Sequence, residues 1–123
     1  MFSREAIATF GDMVRRVTDM TSNKLMDIVA ARKLYFFDDK KKEIAVLIGK
    51  PQRQSDSSDY YCLFQVVGIG DEEVRHATGI DAVQAMQLAM KMIGAYLYSL
   101  NQHNGGRLRW EGDETGDLGF PVS

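Results

Sequence analysis

The sequence predicts an α+β fold, in which an antiparallel sheet of about four to five strands carries a long amphipathic helix on one face, with an additional N-terminal helix. Apolar residues recur at three- and four-residue spacing in two segments, one near the start of the chain and one in its last third. Between them lie short runs of β-branched and aromatic residues separated by polar turns. A length of 123 residues suits a single domain, 1–123.

The first predicted element is a helix at about 4–20, within an N-terminal segment 1–22. Ser3 is a suitable N-cap, and the polar cluster Thr21-Ser22-Asn23 ends the helix because short polar side chains compete for backbone hydrogen bonds. Its apolar stripe consists of Ile7, Phe10, Met13, Val14, Val17 and Met20.

The strands are predicted within 28–78. Two runs form a hairpin around a charged tip at 38–42, and the polar stretch 52–59 is expected to be a loop. The third strand is apolar on both alternations, which is typical of a strand covered on both faces. The expected strands are 28–37, 43–48, 60–67 and 72–78.

The long helix is predicted at 81–101, because Asp81 can cap it and Gln84 can complete a capping box. Asn104-Gly105-Gly106 is a stop signal. The remaining segment, 107–122, is expected to contain a final strand at 107–111 and a glycine-rich acidic tail.

The net charge of -2 provides no global field for a polyanion, so nucleic acid is not favoured as a partner. A single cysteine, Cys62, excludes an internal disulfide framework and suits a reducing compartment. The sequence has neither a signal peptide nor an apolar run long enough to span a membrane. We therefore expect a cytoplasmic protein without a membrane partner.

The string G-I-D-A-V-Q-A-M-Q-L-A-M-K-M-I-G-A-Y-L-Y, followed by L-R-W-E-G and G-F-P, resembles a family of small uncharacterised bacterial proteins that is classed as a domain of unknown function. The pattern is G-x-D-x-x-Q-A…I-G-x-x-L…L-x-W-x-G…G-F-P, and similarity extends over about 28–122. This resemblance implies one compact unit of sheet and helix. It implies no activity and no catalytic residue.

No pattern in the sequence predicts a catalytic residue, a metal site or a cofactor. Gly68-Ile69-Gly70 lacks the third glycine of a dinucleotide fingerprint and is interpreted as a turn. His76 has no metal-ligand partner at a suitable spacing and is interpreted as a strand surface residue, while His103 suits the end of the long helix. Cys62 lies in an apolar strand and is assigned to the core. The carboxylates are out of register for a calcium loop: Glu111, Asp113, Glu114 and Asp117.

Basic residues are concentrated at two places in the sequence. Lys40-Lys41-Lys42 decorates the tip of the predicted hairpin, and Arg107 with Arg109 lies near Trp110. Charge beside an aromatic side chain is what single-stranded nucleic acid requires. The preferred interpretation is a solvated hairpin end.

The sheet is predicted to have an apolar second face that the long helix leaves uncovered, and large exposed apolar patches are unusual in soluble monomers. The N-terminal helix or a partner can cover it. We therefore expect a non-catalytic interaction module, a homodimer or a regulatory or toxin-neutralising protein, with an interface at Phe10, Met13, Val17, Leu47 and Leu63.

The alternative function is a small-molecule-binding protein or a small enzyme. Its pocket would lie between the C-terminal segment and the sheet, where a few polar groups can converge. The residues expected to contact the ligand are Tyr60, Tyr61, His76 and Trp110.

Overall fold

The computed structural model describes residues 27–121. It confirms the α+β class and the antiparallel sheet, whereas the helix expected at 4–20, with Phe10, Met13 and Val17, lies outside the described residues. The elements, in chain order, are β1 (Ile28–Phe36), β2 (Asp39–Gly49), β3 (Gln52–Arg53), β4 (Tyr60–Val67), β5 (Arg75–Gly79), α1 (Ala82–His103) and β6 (Leu108–Trp110).

All strand pairs are antiparallel, and the central strands are β4, β2 and β1. β5 lies beside β4, and β6 lies beside β1, so these two short strands stand at opposite ends of the sheet. β3 continues the line of β2 along β4, since Gln52 pairs with Tyr61 just beyond the pair Ile48↔Phe64. The sheet therefore has six strands rather than four to five, because the polar stretch 52–59 contributes a two-residue strand.

The hairpin tip differs from the sequence prediction. β2 begins at Asp39 and not at residue 43, and the turn consists of Phe37 and Asp38. Tyr35 pairs with Glu43 and Phe36 pairs with Asp39, so β2 has three additional residues at 40–42 opposite a single step of β1. The lysines thus form a bulge inside the hairpin. Charged residues can occupy this strand end because it is exposed to solvent.

One face of the sheet packs against α1. Ala85, Ala89, Ile93 and Leu97 are buried at four-residue steps, and the two alanines allow the helix backbone to approach the sheet closely. The predicted capping box is confirmed: Asp81 Oδ1 accepts from Gln84 N at 2.8 Å. The sheet contributes Leu34, Phe36, Ile44, Val46, Ile48, Cys62, Phe64, Val66 and Ala77 to this core.

α1 extends two residues beyond the predicted end, and its last turn is stabilised by side chains. His103 Nδ1 lies 2.8 Å from Ser99 O, and the C-cap residue Asn104 donates from Nδ2 to Leu100 O at 2.8 Å. The chain then reverses at Gly105 and Gly106, which both have positive φ. This reversal returns the chain to the sheet, where β6 pairs with β1.

The opposite face of the sheet contains a smaller apolar cluster of Ala45, Leu47 and Val67, all buried. The loop 68–74 folds against this face, because Gln65 Nε2 donates to Glu72 O at 2.8 Å and Gly68 N donates to the Glu72 carboxylate at 2.9 Å. β4 is therefore covered on both faces over 64–67, as predicted, whereas Tyr61 and Leu63 are only half-buried on the second face. β5 begins at residue 75 rather than 72 because Glu72, with φ of 60°, turns back onto β4.

Within residues 27–121, no helix is long and apolar enough to cross a membrane.

Candidate functional site

The first part of the sequence pattern has a structural role at the start of α1. A Cβ atom on Gly79 would lie 2.5 Å from Ala85 N, so only glycine allows the end of β5 to approach the helix this closely. Gln84 completes the cap, because its Oε1 accepts from Ile80 N at 2.8 Å. The residues of G-x-D-x-x-Q-A thus fix the entry into α1.

The second part of the pattern fixes the C-terminal segment. The guanidinium of Arg32 lies 3.9 Å from the Trp110 ring and 4.8 Å from the Phe120 ring, and it donates to Leu118 O at 3.1 Å. Burial lowers the pKa of Arg32. A Cβ atom on Gly119 would lie 2.6 Å from Trp110 and would collide with Arg32. The segment is therefore locked between the sheet and the helix.

The space in which a small-molecule pocket was expected is occupied by these side chains. Trp110 contacts Arg32 on the helix side of the sheet, at the β6 end. Tyr61 and His76 belong to β4 and β5, near the opposite end of the sheet. Four strand spacings separate β5 from β6, which is roughly 19 Å. The structure therefore does not bring Trp110 together with the other predicted ligand contacts.

Three of the predicted site residues do meet on the second face. Tyr61, Leu63 and His76 line an open groove of about 560 Å³, together with the loop 53–56. The Tyr61 hydroxyl donates to Gln52 Oε1 at 3.0 Å, which orients the phenol ring at the edge of the groove. Tyr60 points to the other face and packs against the main core. Leu47 is fully buried within the chain and is not part of the accessible surface.

The outer surface of α1 is unusual in its chemistry. The helix carries one charged side chain, Lys91, in 22 residues, apart from His103 at its end. At the charged fraction of the whole chain, 26%, about six would be expected. Ile80 at the cap is 72% exposed, Val83 is 64% exposed and Tyr98 is 62% exposed. Opposite the stripe that packs on the sheet, the helix therefore presents a nearly uncharged surface with large apolar side chains.

A groove of about 420 Å³ lies on this surface, beside the point where the C-terminal segment crosses the helix. Pro121 is seated on Gly94, where a Cβ atom would collide with Pro121 O. We name the outer helix patch as the apolar side chains Ile80, Val83 and Met90 together with Pro121. The groove is lined by Gln84, Gln87, Leu88, Met90, Lys91 and Pro121.

A family model for a domain of unknown function, DUF6968, matches residues 30–122 of the chain. The chain belongs to the DUF6968 family. No curated protein and no solved structure matches it.

In this DUF6968 chain, the residues of the pattern noted in the sequence have packing roles. Glycines permit close approaches, Asp81 caps the helix, and Trp110 and Phe120 hold Arg32. None of these side chains forms a nucleophile–base pair in the described part of the chain. Each of these residues therefore has a packing or capping role in the fold.

The DUF6968 domain also contains a cluster of charged residues between the loop 68–74 and α1. Arg75 donates two hydrogen bonds to the Asp71 carboxylate, at 3.0 and 2.8 Å, and its guanidinium lies 4.1 Å from the Tyr96 ring. Hydrogen bonds from Arg75 lower the pKa of Asp71 to about 2, and burial raises the pKa of Tyr96. These contacts tie the loop to the helix and leave Asp71 ionised, so it is unsuited to general acid catalysis near neutral pH.

Cys62 is buried beneath α1, where its thiol lies 3.5 Å from Gly49 O. Burial raises the pKa of Cys62, which keeps the thiol protonated and unreactive. The predicted core role is confirmed. Within residues 27–121, no three metal-ligating side chains are grouped as a metal site would require.

The outer helix patch was missed by sequence reasoning. The apolar periodicity of this helix predicts only the stripe that faces the sheet, and Val83 and Met90 lie beside that stripe. The available signal was the near absence of Asp, Glu, Lys and Arg from a 22-residue helix that has room for only one buried face.

Proposed function

We propose that this chain is a non-catalytic interaction module that forms a homodimer through the outer surface of α1. The single observation that carries the proposal is the chemistry of that surface, which has one lysine and several large apolar side chains across 22 helical residues. Protein interfaces differ from other surfaces in their core by a depletion of charged residues and an enrichment of Met and Tyr. Met90 and Tyr98 are both exposed on this helix.

Burial of the patch supplies a driving force. Fully burying a valine, isoleucine or methionine side chain stabilises a complex by roughly 1.5–3 kcal/mol for each residue. Ile80 and Val83 are each exposed by more than three-fifths, so most of that contribution is still available to a partner. The long groove beside Met90 and Pro121 offers a recess into which such side chains can insert.

A second copy of the chain is the partner that matches this surface best. A nearly uncharged surface gives a charged partner nothing to pair with, whereas two copies bring together one charged side chain each, Lys91, whose long stem lets its ammonium group reach solvent at the rim. In an antiparallel arrangement about a two-fold axis beside Met90 and Lys91, Val83 faces Tyr98 of the second copy, because both residues lie equally far from the axis. Such an isologous contact closes on itself and limits assembly to a dimer.

The test is the mass of the particle in solution, measured by sedimentation velocity and native mass spectrometry across a range of concentrations. We expect the unmodified chain to be a dimer and the double variant Val83→Glu, Met90→Glu to be a folded monomer. The matched control is Ser99→Glu, an exposed helical position away from the patch that receives the same kind of charge. It should remain dimeric.

A chain that is monomeric at all concentrations would refute the homodimer, as would a double variant that dimerises like the control. If the monomer instead forms a defined complex with another protein that Val83→Glu abolishes, the interaction module is heterologous. That result would direct attention to a regulatory or toxin-neutralising target.

The groove at Tyr61, Leu63 and His76 supports a second candidate function, the binding of a small molecule. A phenol and an imidazole both line this open groove of about 560 Å³. The single tryptophan lies at the other end of the sheet, so its fluorescence would not report on this groove. NMR shifts of the His76 ring against a metabolite panel, with Tyr61→Ala as the negative control, are the appropriate measurement.

A further inference from the structure

The three lysines at 40–42 form an unusual structure at the end of the first hairpin. They are the additional residues of β2 between the pairs Tyr35↔Glu43 and Phe36↔Asp39, so none of them is paired with β1. The bulge directs them differently: Lys40 Nζ lies 5.8 Å from the Tyr35 ring, and Lys42 Nζ lies 5.2 Å from the Phe36 ring. Among the described residues, none of the three lysines makes an ion pair.

The last strand brings two arginines to the same place. Arg107 O accepts from Phe37 N at 3.0 Å, which holds the end of the turn against β6. The guanidinium of Arg107 is fixed by the Asp38 carboxylate at 2.9 Å, and that of Arg109 lies 5.0 Å from the Phe37 ring. Phe37 remains 53% exposed. The lysines at 40–42 and the arginines at 107 and 109 are 65 or more residues apart in the sequence, but they form one surface in the fold. We name this surface, together with Phe37, the basic tip.

The basic tip reverses the charge of the chain locally. Residues 33–43 and 107–111 contain six lysine and arginine side chains and four carboxylates, which gives them a net charge of +2. Since the net charge of the whole chain is -2, the remaining residues carry a net charge of -4. Two of those carboxylates are already engaged, Asp38 by Arg107 and Glu43 by Lys33 at 3.6 Å. A groove of about 370 Å³ lies beside them, lined by Lys33, Tyr35, Lys40 and Glu111.

We propose that the basic tip binds single-stranded nucleic acid, with phosphates held by the lysine bulge and a base stacked on Phe37. Ammonium groups on flexible stems neutralise a phosphate backbone without needing a fixed geometry, and an exposed aromatic ring stacks on any base. The extended segment from Lys33 to the turn residue Phe37 spans about 13 Å, enough for a few nucleotides. An acidic peptide would use the lysines but would have no need of an exposed phenyl ring.

The test is fluorescence anisotropy with labelled 12-nucleotide oligo(dT) and oligo(U) at several salt concentrations. We expect binding that weakens with salt, since each phosphate contact releases counterions. Replacing Lys40, Lys41 and Lys42 by alanine should make the slope of log affinity against log salt shallower by about 2, at roughly 0.7 for each lost contact. Phe37→Ala should weaken binding by about 5- to 150-fold, the effect of losing one stacked base.

The matched control lowers the net charge by the same three units away from the tip, with two exposed positions: Lys50→Glu, Ser99→Glu. The control variant should bind the oligonucleotides with an affinity within about twofold of that of the unmodified chain. Because the lysines of the tip are exposed, thermal melts should show that all variants are folded. Absence of binding at low salt overturns the proposal, as does binding that the tip and control variants reduce equally. Equal competition by poly-glutamate together with no effect of Phe37→Ala would assign the tip to acidic polypeptides and overturn the nucleic-acid assignment.

Discussion

Replacing Gly94 by alanine places two effects of opposite sign in competition. Alanine is better than glycine in a helix interior by about 1 kcal/mol, so helix propensity alone predicts a more stable protein. The added Cβ atom, however, would collide with the backbone oxygen of Pro121, and the C-terminal segment would have to leave the helix. The sign of the change therefore reports whether the segment is locked as the structure describes.

The expected loss can be worked out from the contacts that the segment makes. Phe120 is only 9% exposed, and its burial contributes roughly 1.5–3 kcal/mol. The hydrogen bond from Arg32 to Leu118 O contributes about 1 kcal/mol. After subtraction of the gain in helix propensity, about 1 kcal/mol, Gly94→Ala should destabilise the fold by about 1.5–3 kcal/mol. A loss of 2 kcal/mol would lower the Tm of a chain of this size by roughly 6–12 °C.

The assay is chemical denaturation followed by tryptophan fluorescence. Trp110 is the only tryptophan and contacts Arg32 at the locked segment, so release of the segment should also shift its emission to the red. The decisive control is the background Phe120→Ala, in which the segment is already loosened. There Gly94→Ala should stabilise the protein by about 1 kcal/mol. The same effect in both backgrounds, or a stabilisation in the unmodified chain, would refute the reasoning.

Two further predictions follow from the charged cluster and the buried thiol. The folded pKa of Asp71, about 2, lies below its ordinary value of 3.8, so its stabilising contribution is present above pH 4 and is lost as the pH falls through 2. Carboxyl NMR titration should show this pKa, and Arg75→Leu should raise it towards 3.8; an unchanged value would contradict the hydrogen-bonded pair. Cys62 should react with a thiol reagent at neutral pH only as fast as the protein opens, because burial raises its pKa and blocks access. Labelling as fast as in the unfolded chain would contradict its burial.

The elements that periodicity and capping predict are the ones that the sequence located best. Asp81 and Gln84 predicted the start of α1 to within one residue. The run of apolar residues on both alternations predicted β4 at Tyr60–Val67, as the structure has it. Such local signals survive because the tertiary structure reinforces them. The charged stretch at 39–42 and the polar pair Gln52–Arg53 were not recognised as strand, since they pair through the backbone and carry no apolar signal.

Contacts between distant parts of the chain could not be predicted. Nothing in a single sequence says that Arg32 will insert between Trp110 and Phe120, or that Arg107 will meet Asp38 across 69 residues. The prediction of a ligand site beside Trp110 took no account of Arg32, whose guanidinium lies against the Trp110 ring and donates to Leu118 O. The basic tip could not be predicted for the same reason, because its lysines and arginines are far apart in the sequence.

The ends of the sheet have a consequence for how the molecule can associate. Within residues 27–121, β6 has three residues and pairs only with 34–36 of β1, so the outer edge of β1 at 28–33 has no neighbouring strand. Strand addition from another molecule requires such a row of backbone groups. At the other end of the sheet, β5 has five residues and offers a shorter row. In the described sheet, backbone pairing with another molecule therefore has most room along the first part of β1, where a proline would interrupt it.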